Sequence, residues 1–103
     1  MSDENNTPVL DEVKPELKKP SKYQVYIMND DYTPMDFVTL ILMHVFNKPE
    51  PIAEKIMMDI HESGRGICGE FTRDIAETKV DVVTSMSKES GYPLLCDMAI
   101  IDE

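Results

Sequence analysis

The stretch that decides the fold spans residues 22–46 and reads KYQVYIMNDDYTPMDFVTLILMHVF. In its first part Tyr23, Val25 and Ile27 alternate with other side chains at period two, and the composition favours β-structure, which predicts a strand. The polar cluster at residues 29–32 is typical of a turn. Apolar residues then recur at helical spacing, so the stretch predicts a strand, a turn and a helix in succession.

The start of this first helix carries three signals. Thr33 is expected to cap it, Pro34 suits the first helical position, and the carboxylate of Asp36 favours the positive end of the helix. Its buried face is predicted to consist of Phe37, Val38, Ile41, Leu42, Val45 and Phe46.

The remaining elements are predicted in the same way. A second helix opens near Pro51 and ends at the cap residue Gly64, and a short strand covers residues 67–71. A third helix runs from about Thr72 to Glu89, and residues 94–101 form the last strand. The third helix is expected to turn these residues inward: Ile75, Ala76, Val80, Val83 and Met86. The apolar face of a three-stranded sheet must be buried against other elements. This predicts an α+β domain with the helices on one side of a small sheet.

Residues 1–20 differ from the rest of the chain because they hold three of its seven prolines, many charges and few apolar residues. Such a segment buries too little surface to offset its ordering entropy. The sequence therefore predicts a flexible arm over residues 1–20 and one domain over residues 21–103.

The net charge is −10 among 103 residues. Such an acidic surface repels phosphate, so nucleic acid and anionic membranes are not expected as partners, and a cationic ligand is favoured. The longest apolar run, residues 37–46, is too short to cross a bilayer, and the polar N-terminus does not resemble a signal peptide. Cys68 and Cys96 match no metal or redox motif, which favours reduced cysteines in a cytoplasmic protein.

Few residues of the sequence point to an enzyme. Cys68 and His61 could form a thiol–base pair, but a cysteine in an apolar strand is usually packing material. Asp30, Asp31 and His61 could in principle meet around a metal ion, although three ligands from a predicted turn are a weak signal. Asn29 with the two aspartates makes an acidic turn, which favours binding and is also ordinary turn chemistry. From the residues alone, we expect a small acidic binding domain.

Four ordered motifs carry a resemblance. They are YIMNDDYTPMDFV at residues 26–38, HESGRGICG at 61–69, AETKV at 76–80 and PLLC at 93–96. Together they resemble the signature of the ClpS family, adaptors that pass N-degron proteins to the ClpA unfoldase. The resemblance covers residues 22–98 and implies three antiparallel strands with three helices on one face, similar to the C-terminal domain of the ribosomal stalk protein.

The family is not enzymatic, and the resemblance implies neither cofactor nor metal. It implies that Asn29, Asp30 and His61 bind the free α-amino group of a protein that begins with Leu, Phe, Tyr or Trp. The first side chain would enter a pocket lined by Asp31, Thr33, Met35, Val38, Met57, Ile60 and Leu94. The N-terminal domain of a ClpA-type AAA+ unfoldase, working with ClpP, would bind Asp74, Glu77, Thr78 and Lys79.

Met35 resembles the gate residue of that pocket, which would disfavour first residues branched at Cβ. Two other functions remain open on the residues: a stalk-like interaction domain that binds an internal surface, and a thiol enzyme or metal site at His61 and Cys68. Peptides with free and acetylated N-termini separate the adaptor from the stalk-like domain, and Cys68→Ser separates it from the enzyme.

Overall fold

The computed structural model describes residues 21–101, which form six elements. In chain order they are β1 (Lys22–Met28), α1 (Met35–His44), α2 (Glu50–Ser63), β2 (Arg65–Thr72), α3 (Arg73–Ser90) and β3 (Leu95–Ile100). This confirms the predicted order and the α+β class. The predicted arm, residues 1–20, lies outside the described residues.

The sheet is antiparallel with the order β2-β1-β3, so the first strand of the chain is the central one. One residue of β2 is extra, because Val25 pairs with Gly69 while its neighbour Tyr26 pairs with Ile67. This bulge leaves Cys68 without a partner across the ladder and lets its side chain turn inward.

The helices cover one face of the sheet. α3 contacts all three strands, α2 contacts β2, and α1 packs on α2. Val25 and Ile27 are fully buried on the covered face, whereas Met28, Ile67 and Leu95 on the alternate positions are 40–62% exposed. The sheet is therefore covered on one side, as the sequence predicted. None of the helices in residues 21–101 is long and apolar enough to span a bilayer.

Two local predictions were wrong. β2 begins at Arg65 rather than Ile67, since Arg65 and Gly66 pair with the end of β1. Ile75 is 49% exposed, because the stripe of α3 that faces the sheet contains Ala76, Val83 and Ser87. Ile75 lies about 100° further round the helix.

Candidate functional site

A cavity opens where the end of β1, the following loop and two helices meet. We call it the loop cavity. Its volume is about 250 Å³. It is lined by Met28, Asn29, Asp30, Asp31, Thr33, Met35, Val38, Met57, Ile60, His61 and Leu94.

All ten residues predicted for the α-amino and side-chain sites therefore line one cavity, although they come from four separate parts of the chain. Met28 also lines the cavity and was not among those ten residues; it is the last residue of β1 and lies beside Asn29. A methionine at the end of the strand that leads into the polar turn was the available signal.

The loop that carries the polar residues is held by the carboxylate of Asp30. Its Oδ1 accepts hydrogen bonds from the backbone N–H groups of Tyr32 and Thr33, both at 2.8 Å. The Thr33 hydroxyl lies 3.0 Å from Oδ1 and 2.8 Å from Oδ2. Partial burial would raise the pKa of Asp30, but these hydrogen bonds outweigh it and lower the pKa below its ordinary value.

These bonds correct the prediction for the start of α1. Thr33 does not cap the helix, because its hydroxyl is directed to Asp30. Pro34 is the N-cap residue instead of the first helical residue, and its carbonyl accepts the backbone N–H groups of Phe37 and Val38. The loop therefore ends one residue later than predicted, and Met35 is the first residue of the helix at the cavity.

A backbone hydrogen bond fixes the loop relative to α2. The N–H of Asn29 donates to the carbonyl of Gly64 at 2.9 Å, just after α2 ends. Gly64 has φ 96°, in the left-handed region that glycine tolerates, and caps the helix as predicted. This contact links the loop to the last turn of α2, which carries His61.

The cavity has a polar mouth and apolar walls. Asn29, Asp31 and His61 are exposed, and within residues 21–101 no hydrogen bond engages the Asp31 carboxylate. The walls contain three buried residues, Val38, Ile60 and Leu94. The methionines form the more exposed walls, with Met35 43% exposed. Such a cavity can hold an apolar group while presenting acceptors and negative charge to a cation.

The geometry does not support a catalytic thiol or a metal site. Burial raises the pKa of the Cys68 thiol, the opposite of what a nucleophile needs. Cys96 lies on the other side of β1, and both thiols are free. Within residues 21–101, no three His, Cys, Asp or Glu side chains form a group that could hold a metal ion.

The residues predicted to contact an unfoldase lie on α3. Asp74, Thr78 and Lys79 line a second cavity, the α1–α3 groove, of about 560 Å³. The groove is completed by His44, Val45, Ile75, Val82 and Met86. Glu77 lies outside it and pairs with Arg73 at 3.3 Å.

Lys79 has a second, internal partner. Its Nζ donates to the carbonyl of Val45, the residue that caps the C-terminal end of α1, at 2.7 Å. The rings of Phe46 and Phe71 lie 6.0 and 5.8 Å from the same Nζ. The Lys79 ammonium therefore bonds a carbonyl that has no partner within α1. Its positive charge also lies at the negative end of this helix, which is a favourable position.

Comparison with known proteins agrees with this fold and these motifs. A family model described as ATP-dependent Clp protease adaptor protein ClpS matches residues 18–97. The ATP-dependent Clp protease adapter protein ClpS of Paraburkholderia xenovorans is 45% identical over 96 residues, 93% of this chain and 92% of that protein. The protein of the same name from Ralstonia nicotianae is 48% identical over 90 residues, 87% of this chain and 83% of that protein.

A solved structure is also similar, that of Agrobacterium tumefaciens ClpS2 bound to L-phenylalaninamide. It shares 40% sequence identity with a TM-score of 0.78, and the match covers 81% of this chain and 100% of that one. The family model and the relatives each span most of the sequence. The chain therefore belongs to the ClpS family of ATP-dependent Clp protease adaptor proteins.

Proposed function

We propose that this adaptor binds the first residue of N-degron proteins in the loop cavity, with the free α-amino group at the polar mouth and a Leu, Phe, Tyr or Trp side chain between the apolar walls. The observation that carries the proposal is the cavity itself, which joins Asn29, Asp31 and His61 to a buried apolar interior. The structural relative bound to L-phenylalaninamide supports it, since that ligand has a free α-amino group and an apolar side chain.

The ammonium of a free N-terminus has three donors and a positive charge. Asn29 offers an amide oxygen, and neutral His61 offers one ring nitrogen as an acceptor. Asp30 contributes negative charge, and its Oδ2, with one hydrogen bond from Thr33, retains room for another donor. Asp31 is the second carboxylate at this mouth, and it meets the ammonium directly or through water. An internal peptide N–H has one donor and no charge, so it cannot satisfy these groups.

The apolar walls select the side chain. Burying a Leu or Phe side chain contributes roughly 1.5–3 kcal/mol. Met35 is the first residue of α1 and lines the cavity next to the loop, where a branch at Cβ of the ligand would meet it. We therefore propose that Met35 is the gate that disfavours Val and Ile.

Delivery to the partner takes place elsewhere on the molecule. We propose that the α1–α3 groove docks the N-terminal domain of a ClpA-type unfoldase that works with ClpP. Asp74 and Thr78 are exposed there, and the partly exposed side chains of Ile75 and Val82 add apolar surface. The adaptor is non-enzymatic, works in the cytoplasm and needs no cofactor in this proposal.

A titration with two peptides tests the proposal. A short peptide that begins with Leu is expected to bind, and the same peptide with an acetylated N-terminus is not, because acetylation removes the charge and two of the three donors. Affinity should also fall above about pH 8, where the α-amino group loses its proton. Equal binding of the two peptides would overturn the proposal and favour an interaction domain that recognises an internal surface.

A further inference from the structure

A small cavity marks the place where the arm, residues 1–20, joins the described domain. We call it the entry cavity. Its volume is about 350 Å³, and it is lined by Ser21, Tyr23, Thr72, Arg73 and Asp74. Asp74 also lines the α1–α3 groove, so the two cavities meet at the start of α3. The chain therefore enters the domain directly beside one end of that groove.

The entry cavity lies on the side of the sheet that the helices cover. Tyr23 packs against the hydrophobic core, and residues 72–74 lead from β2 into α3. The open face of the sheet, where Ile67 and Leu95 are exposed, is directed away from the helices. The arm therefore starts on the side of the α1–α3 groove and not on the side of the open sheet face.

The α1–α3 groove exposes apolar side chains that residues 21–101 leave uncovered. Ile75 is 49% exposed and Val82 is 40% exposed, and both lie with Met86 along the part of α3 that lines the groove. This stripe is about 18 Å long from Asp74 to Met86, at roughly 1.5 Å per residue. An exposed apolar stripe of this kind is typical of a surface that binds a further segment or a partner.

The part of the arm nearest to the domain has a matching pattern. Residues 13–17 read VKPEL, in which Val13, Pro15 and Leu17 alternate with two charged residues. In an extended chain this alternation places the three apolar side chains on one side, and a proline favours an extended conformation at the residue before it. One side of the segment can therefore contact an apolar surface while the other presents its charges to solvent.

The length of the segment fits its point of attachment. Leu17 precedes Ser21 by four residues, about 13 Å of extended chain at roughly 3.3 Å per residue, which is enough to cross the entry cavity. Val13 lies about 13 Å further along such a chain, and Ile75 and Val82 are about 11 Å apart along α3. Leu17 can thus reach Ile75 while Val13 reaches Val82.

The charges of the arm support the same arrangement. Lys18 and Lys19 lie between Leu17 and Ser21, and on this path they pass the carboxylate of Asp74 at the entry cavity. Among the residues that the structure describes, no lysine or arginine forms a salt bridge with Asp74. Exposed ion pairs add little affinity, but they favour this direction of the segment over the reverse one.

We propose that residues 13–19 of this chain fold back onto the α1–α3 groove, with Val13, Pro15 and Leu17 against its apolar stripe. The segment is then an internal competitor for the surface that docks the unfoldase in the function proposed above. Docking of the partner displaces the segment and releases the arm. This competition rests on the proposed function, whereas the contact between the segment and the groove does not.

Two variants of the full chain with matched changes test the proposal. Val13→Ser/Leu17→Ser, the segment variant, makes the apolar side of the segment polar. Val9→Ser/Leu10→Ser, the control variant, makes a similar change outside the segment. Both variants should bind a Leu-initiated peptide as the parent does, because neither alters the loop cavity.

Methyl NMR spectra of the two variants locate the segment. The segment variant should shift the signals of Ile75 and Val82, and the control variant should leave them as in the parent. Unchanged signals of these residues in the segment variant would overturn the proposal. Shifts of Ile67 and Leu95 instead would mean that the arm covers the open sheet face, which contradicts it. Shifts that depend on protein concentration would also contradict it, since a second copy would then occupy the groove.

Titration with the N-terminal domain of ClpA tests the competition. Two apolar contacts, offset by the ordering of the segment, would keep the groove closed about four-fifths of the time, which lowers the apparent affinity about fivefold. The segment variant should therefore bind this domain about fivefold more tightly than the parent and the control variant. Equal affinity of the two variants would overturn the competition. Absence of binding to all three proteins would refute the proposed docking role, whereas shifts of Ile75 and Val82 would still support the contact.

Discussion

The loop cavity and the α1–α3 groove lie at opposite ends of α1 and are built in different ways. The loop cavity gathers residues from β1, the following loop, α1, α2 and the segment before β3. The α1–α3 groove takes six residues from α3 and needs only the end of α1 to complete it. The first region therefore depends on the packing of the whole domain, and the second largely on one helix.

The two regions also use their charged residues differently. In the loop cavity Asp30 holds the loop, and this leaves Asn29, Asp31 and His61 exposed at the mouth. In the α1–α3 groove Lys79 is itself held by the carbonyl of Val45, and apolar residues are exposed beside it. One region therefore presents polar groups to a ligand, whereas the other presents an apolar surface with charges at its border.

The largest effect is expected from Asp30→Ala, which removes charge from the mouth and the acceptor that holds the loop. We expect a loss of about 2–5 kcal/mol in binding free energy for a Leu-initiated peptide, measured by calorimetric titration. Asp74→Ala removes the same charge at the α1–α3 groove and should change peptide affinity by at most about twofold. Equal losses of peptide affinity in Asp30→Ala and Asp74→Ala would contradict the assignment of peptide binding to the loop cavity alone.

Met35→Ala should change which first residues are accepted. Removing the gate should improve binding of Ile-initiated relative to Leu-initiated peptides by about 1–3 kcal/mol, the usual scale for one or two methyl-sized clashes. Met86→Ala makes the same truncation in the α1–α3 groove and should leave this ratio as it is in the parent. Continued rejection of Ile by Met35→Ala would remove Met35 from the role of gate.

Gly66→Ala tests how strongly the loop cavity depends on packing. A Cβ at this buried glycine would lie 2.7 Å from Cγ1 of Ile60, a wall of the cavity. We expect the free energy of unfolding to fall by about 1–3 kcal/mol and peptide affinity to fall with it, because α2 must shift.

Gly91 provides the matched control for this substitution. It has φ 78° at the end of α3, and a Cβ there would meet nothing within 4 Å. Gly91→Ala should cost about 1–2 kcal/mol of stability through backbone strain and leave peptide affinity unchanged. If both variants weaken binding equally, general destabilisation rather than the position of α2 controls the site.

The smallest effect is expected at the other end of α1. Lys79→Met removes the hydrogen bond to Val45 and should lower the free energy of unfolding by about 0.5–1.5 kcal/mol in chemical denaturation, without changing peptide affinity. Thr78→Val is the control, because the Thr78 hydroxyl bonds only within its own helix, to the carbonyl of Asp74. Unchanged stability in Lys79→Met would mean that this lysine is free to bind a partner.

Local signals predicted much of the fold. The alternation at Tyr23, Val25 and Ile27 predicted the central strand, and Gly64 predicted a helix end that has positive φ. The prediction failed where a side chain had two possible partners. Thr33 could cap α1 or bond to Asp30, and the choice depends on the shape of the loop.

The sequence by itself determined the elements, their order and ten of the eleven residues that line the loop cavity. The periodicity and caps are local, and the ordered motifs identified residues 29–33 and His61 without any coordinates. The roles of those residues were not local. Only the tertiary structure decided that Asp30 holds the loop and that Ile75 is exposed, because hydrogen bonds and burial depend on which surfaces meet. A stripe of apolar residues on a helix is the same in sequence whether it faces a sheet or solvent.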